Sequence, residues 1–123
     1  MGEQTGKIGW IDITVDDASA LRDFYADVTG LSPEAVSMGD YDDFNMTAPA
    51  SGEPVCGICH ARGSNTDLPA GWLGYFVVDD VEASAAACVE QGGKVLVEPR
   101  GLAGGRFCVI EDPSGATAAL YQA

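Results

Sequence analysis

The sequence predicts an α+β fold built from two tandem βαβββ units, and three observations carry that prediction. A run beginning at Val15, "VDDASALRDFYADVTG", returns at Val78 as "VDDVEASAAACVEQGG", an offset of 63 residues. At that offset Val15, Asp16, Asp17, Ala20 and Gly30 fall on Val78, Asp79, Asp80, Ala83 and Gly93. Each copy is preceded by a β-prone run, "GWIDITV" or "WLGYFVV", and followed by short β-prone stretches broken by Gly, Pro and Asp. The 123 residues, 46% hydrophobic and 20% charged, suffice for one domain over residues 1–123 with a real core. Its two modules cover about residues 7–63 and 71–122.

In chain order, the first strand "GWIDITV" alternates so that Trp10, Asp12 and Thr14 share one face. Asp16 and Asp17 then suit a helix N-terminus, where a carboxylate accepts free N–H groups and complements the dipole. Leu21, Phe24, Tyr25 and Val28 form the apolar stripe of that helix, and Gly30 ends it. Strands are expected around residues 35–38, 43–47 and 55–62, with "APASGEP" as a turn and "GSNTDLPAG" as an exposed linker. In the second strand-helix pair, Leu73, Tyr75 and Val77 share a face. Asp79 and Asp80 precede an Ala-rich helix with the weaker stripe Val81, Ala85, Cys88 and Val89, stopped by Gly92 and Gly93. Strands over residues 94–98, 106–110 and 117–121 complete the unit, the last with Thr117, Ala119 and Tyr121 on one face. Phe44 in "DFNMTAP" answers Phe107 in "RFCVIEDP".

Six basic against nineteen acidic side chains give a net charge of -13, which repels phosphate backbones and anionic membrane surfaces. Nucleic acid and membrane are therefore not expected partners. The charge reads either as solubility or as a cleft that attracts cationic ligands. No apolar run is long enough to span a bilayer, and "MGEQTGKIGW" has neither the apolar run nor the cleavage site of a secretory leader. Gly6 stands where a myristoylation signal needs Ser or Thr, so a cytoplasmic chain is expected. Cys56, Cys59, Cys88 and Cys108 are accordingly expected to be reduced.

The segment "CGICH", Cys56 to His60, matches the CxxCH pattern of c-type haem attachment letter for letter. In a strand, however, Cys56, Ile58, His60 and Arg62 share one face while Cys59 points to the other. The thiols diverge, which fits neither haem attachment nor a zinc knuckle, and both cysteines read as small core residues. His60 is the only histidine, so any imidazole chemistry must use it as general acid or base; its other reading is a structural hydrogen-bonder. "EPRGLAGGRF" reads as a glycine-rich hairpin, or as a mobile lid over residues 101–105 with Arg100 or Arg106 reaching an anionic group. Ser32, Ser37 and Ser114 lie in no nucleophile motif.

The opening "TVDD…LRDFYADVTGL", the second "YFVVDDVEAS…GGKVL" and the closing "FCVIEDPSGATAALY" together resemble the glyoxalase/bleomycin resistance/dioxygenase superfamily, also called vicinal oxygen chelate. The resemblance covers about residues 7–121 and implies an eight-stranded cup, in a homodimer. It also implies metal ligands on four strands in the metal-dependent members. The matching positions are Trp10, Leu73 and Ala119, none of which binds a metal, with a fourth near Cys56 to His60. An atypical set of Asp12, His60 and a carboxylate such as Glu111 is the one alternative, and otherwise no cofactor is expected.

Strand alternation and the resemblance together make Trp10, Asp12, Thr14, His60, Arg62, Tyr75, Arg106 and Tyr121 the candidate ligand-contacting residues. For Trp10 and Tyr75, plain core packing is the competing reading. The function expected is non-catalytic sequestration of a small cationic or aromatic molecule, with Trp10 and Tyr75 stacking and Asp12 or His60 orienting it. The alternatives are a lyase, isomerase or dioxygenase-type enzyme using an atypical metal set or His60, and a partner module whose cup is only core.

Overall fold

The computed structural model describes residues 5–123. The elements run β1 (Ile8–Val15), α1 (Ala18–Thr29), β2 (Ser32–Ser37), β3 (Asp42–Thr47), β4 (Pro54–His60), β5 (Trp72–Val77), α2 (Val81–Glu90), β6 (Lys94–Leu102), β7 (Gly105–Glu111) and β8 (Thr117–Gln122). A 3-10 turn at Gly63–Asn65 lies in the expected linker. Residues 1–4, part of the opening read for a leader or an acylation signal, lie outside the described residues. Both βαβββ units are present, with the strand order β2-β3-β4-β1 in the first and β5-β8-β7-β6 in the second. The chain divides into two compact units, Ile11–Trp72 and residues 5–10 with Leu73–Ala123, so the first residues of β1 group with the second unit.

In the first unit β1 runs parallel to β4, with Asp12 opposite Gly57 and Thr14 opposite Cys59, while β3 is antiparallel to both β4 and β2. α1 covers one face of these strands. Ala18, Phe44, Met46, Cys56 and Ile58 form the buried core there, with Ile13, Val15, Leu21 and Tyr25 packed against it. The Asp17 carboxylate accepts from the Ala20 N–H at 3.0 Å, and Gly30 ends the helix in the left-handed region. The buried stripe differs from the expected one, because Phe24 and Val28 are 54% and 64% exposed. Leu21 and Tyr25 belong to both stripes, but the helix turns the Ala18 and Ala26 side inward. Tyr25 is held inward by the Trp72 Nε1–H, which donates to its hydroxyl at 3.0 Å.

The second unit repeats this plan. β5 is parallel to β8, with Tyr75 opposite Ala119, and β7 is antiparallel to both β8 and β6. α2 covers a core of Val81, Ala85, Cys108 and Leu120, with Val78, Val95 and Ile110 against it, while Val89 of the expected stripe is exposed. Asp80 accepts from the Glu82 and Ala83 N–H groups, as the paired aspartates suggested. β6 runs beyond the expected residues 94–98 to Leu102 and leaves register with β7 twice. Gly101 pairs with Arg106 and Leu102 with Gly105, and Ala103 and Gly104, with φ 49 and 81, make a two-residue turn. The segment is a paired hairpin.

Candidate functional site

The register fixes which side chains meet a helix and which face away. In the first unit Ile13, Ile58, Phe44 and Met46 belong to the core under α1. Alternation therefore puts Asp12 and Thr14 of β1, Gly57 and Cys59 of β4, and Asp43, Asn45 and Thr47 of β3 on the face that no helix of this unit covers. Asp43, only 6% exposed, accepts the His60 backbone N–H on its carboxylate at 2.8 Å, completing the end of β4 where the ladder to β3 stops. It also hydrogen-bonds the Cys59 thiol. Burial, then the nearby charges of Asp12 and Asp43 and this hydrogen bond, push the Cys59 thiol far above its ordinary range. Cys59 is thus an S–H group at neutral pH, hydrogen-bonded to Asp43 and within the field of Asp12.

In the second unit Cys108 and Leu120 face α2, so Phe107, Val109, Ala119, Tyr121 and Tyr75 lie on the opposite face. The Tyr75 and Phe107 rings lie 6.3 Å apart at 30°, and the Arg100 guanidinium sits 5.3 Å over the Phe107 ring. Tyr75 and Phe107 are 4% and 3% exposed, so they form a packed wall rather than free ring surface. Tyr121 is half-buried, and its hydroxyl donates to the Ala103 carbonyl at 3.2 Å. This ring fits because its neighbour is Gly105, where a Cβ would overlap the Tyr121 ring and the Gln122 carbonyl.

The candidates divide accordingly. Trp10, Asp12 and Thr14 are half-buried and share the expected face of β1. His60 shares a face with Cys56 and Ile58 as alternation required, but that face is the one α1 covers. Its ring packs at 5.6 Å from Tyr41 and 6.4 Å from Phe44, and Nδ1 lies 2.9 Å from the Asp42 carbonyl oxygen. Cys59, not His60, is the neighbour of Thr14. Arg62 is exposed at the end of this cluster, with its guanidinium 4.2 Å over Tyr41 and 3.3 Å from Asp40. Arg106 faces α2, where it pairs with Glu82, so Arg100 rather than Arg106 accompanies Tyr75. Asp43, Cys59 and Phe107 escaped the sequence reading as site residues, and Arg100 entered it only as the alternative to Arg106. The usable signal was parity, since Arg106 and Phe107 are adjacent in a strand and must face opposite ways.

The two units have the same internal register, Asp12 opposite Gly57 and Tyr75 opposite Ala119. The β4 position that matches Ala119 is therefore Gly57. The resemblance implies metal ligands at Trp10, Leu73 and Ala119 and near Cys56 to His60; Trp10, Leu73 and Ala119 carry no donor that binds a metal, and neither does Gly57, the register match to Ala119. Nor do Asp12 and His60 fit a shared metal, since they lie on opposite faces of their strand pair. Among the described residues no group of three or more His, Cys, Asp or Glu could hold an ion.

The profile of the Glyoxalase/Bleomycin resistance protein/Dioxygenase superfamily matches residues 7–120, and the chain belongs to that superfamily. Within it, the chain is similar to the Mycobacterium tuberculosis protein CFP32, which carries a glyoxylase name, at 31% identity over 114 residues, covering 92% of this chain and 42% of that one. It is also 31% identical over 114 residues to the anthracycline biosynthesis protein DnrV of Streptomyces peucetius, covering 90% of this chain and 39% of that one. The chain thus spans about two fifths of the length of these relatives. Among solved structures it resembles methylmalonyl-CoA epimerase from Mycobacterium tuberculosis, with a TM-score of 0.57 at 17% identity over 99% of this chain and 91% of that one. The Mn(II)-bound glyoxalase from Novosphingobium aromaticivorans gives a TM-score of 0.60 at 23% identity, over 97% of this chain and 39% of that one. These structures share the fold. No helix among the described residues is long and apolar enough to cross a membrane.

Proposed function

We propose that this superfamily member binds a small organic cation bearing a flat ring, without a metal, and sequesters it rather than converting it. The observation that carries this reading is the absence of a metal donor at Trp10, Leu73 and Ala119, where the resemblance implies ligands, and at Gly57, the register match to Ala119. The β1 face bearing Trp10, Asp12 and Thr14 offers one ring, one carboxylate and one hydroxyl. A net charge of -13 favours a cationic ligand. DnrV is named for anthracycline biosynthesis, and anthracyclines join a fused-ring plane to an amino sugar, which is the chemistry this face suits. A homodimer in the cytoplasm belongs to the same proposal, and analytical ultracentrifugation tests its stoichiometry.

Isothermal titration with an anthracycline tests the binding. A saturable heat is expected, reduced about tenfold in affinity by Asp12→Asn, which removes a charge-assisted contact. A parallel incubation with zinc, nickel, manganese and iron(II), followed by desalting and mass spectrometry of metals, is expected to leave far less than one metal per chain. Retention of one metal per chain, or conversion of the ligand during titration, would replace sequestration by the metal-dependent enzyme reading.

A further inference from the structure

A groove of about 440 Å³ runs between α2 and the edge strand β6 of the second unit, and none of Trp10, Asp12 and Thr14 lines it. Its size lies in the range of small-molecule sites. The helix lines it with Glu82, Ala85, Ala86 and Val89, and the strand lines it with Val95, Glu98 and Pro99.

Local chemistry explains why this space stays open. α2 presents only methyl groups at Ala85 and Ala86, so the helix contributes little volume there. β6 slips register with β7 between Val95 and Val97 and again between Val97 and Arg100, and such bulges bend an edge strand. Pro99 lies within the second irregular stretch, where its missing N–H costs no ladder bond. Arg106 closes one end, pairing with Glu82 on the helix while its Nη2 lies 3.4 Å from the Pro99 carbonyl oxygen on the strand.

The two carboxylates differ in what they offer. Glu82 is engaged by Arg106, whereas Glu98 is exposed and makes no hydrogen bond or ion pair among the described residues. Both fields nevertheless converge on one place. The fully buried Cys108 thiol is pushed up to about 11, by burial first and then by Cys88, Glu98 and Glu82. Val89 is 59% exposed at the groove wall, an apolar surface that the chain itself leaves in water.

We propose that this groove is a second ligand site, taking a small primary amine with a short branched body, its ammonium on Glu98 and its apolar part on Val89, Val95 and Pro99. It is independent of the reading of the β1 face.

Amide spectra of the isotopically labelled chain, titrated with isoamylammonium chloride, test it. Saturable shifts are expected at Ala85, Ala86, Val89 and Glu98, weakening as sodium chloride rises, with none from isoamyl alcohol. Glu98→Gln, an exposed change, is expected to reduce the affinity about tenfold, and Ala86→Leu to abolish the shifts by filling the groove. Equal response to the alcohol, no saturable shift at these amides, or shifts confined to Trp10 and Asp12 would each overturn the proposal. None of those results would touch the anthracycline titration, which reads the β1 residues.

Discussion

Asp43 shows how much one side chain carries. Its carboxylate takes the His60 N–H, which the β3–β4 ladder leaves without a strand partner, and holds the Cys59 proton as well. Asp43→Ala strands that N–H, and a loss of about 1–3 kcal/mol in urea unfolding is expected. The thiols give a second outcome. Unfolded cysteines ionise near 9.0, whereas the folded Cys108 does so only near 11 and Cys59 higher still. Between those values the unfolded chain holds fewer protons, so stability present below 9 is lost as pH rises through 11. Melting curves across that window should show the fall, and Cys108→Ala should make it shallower.

At the scale of elements, caps and turns were readable because their residues act locally. Asp17, Asp80 and Gly30 do what their types predict. Asp80 holds two helix N–H groups, so Asp80→Ala is expected to cost about 1 kcal/mol, read by thermal unfolding. The hairpin is a counter-case. Ala103 sits at φ 49, a left-handed conformation that costs a β-carbon about 1–2 kcal/mol. Ala103→Asn restores the residue that this turn type prefers and should raise the melting temperature by a few degrees. The helix stripes were less legible. Leu21 and Tyr25 fit stripes on either side, and periodicity does not say whether Phe24 or Ala18 flanks the buried line.

For the whole molecule the dominant fact is a net charge of -13. Self-repulsion weakens the folded chain at low salt, and the same field draws cations toward it. One cause therefore predicts two opposite responses. Raising sodium chloride from about 0.05 to 0.5 M should raise the melting temperature while weakening anthracycline binding. Parallel trends in both measurements would remove charge as the origin of affinity.

The repeat at an offset of 63 residues, the two capping aspartates and the alternation of each strand were enough to define two βαβββ units and the superfamily to which they belong. Those features are local or self-comparing, so one chain contains them. What the tertiary structure decided was the sign of each alternation. Cys56, Ile58 and His60 had to share a face, yet only the packing of Ile58 against Ala18 and Phe44 beneath α1 made it the covered one. That choice moved His60 away from the β1 face bearing Asp12 and put Cys59 there, just as the docking of Cys108 under α2 turned Arg106 outward to Glu82 and left Arg100 beside Phe107. A period of two fixes parity along a strand, but which parity meets a helix is set by contacts between residues far apart in sequence.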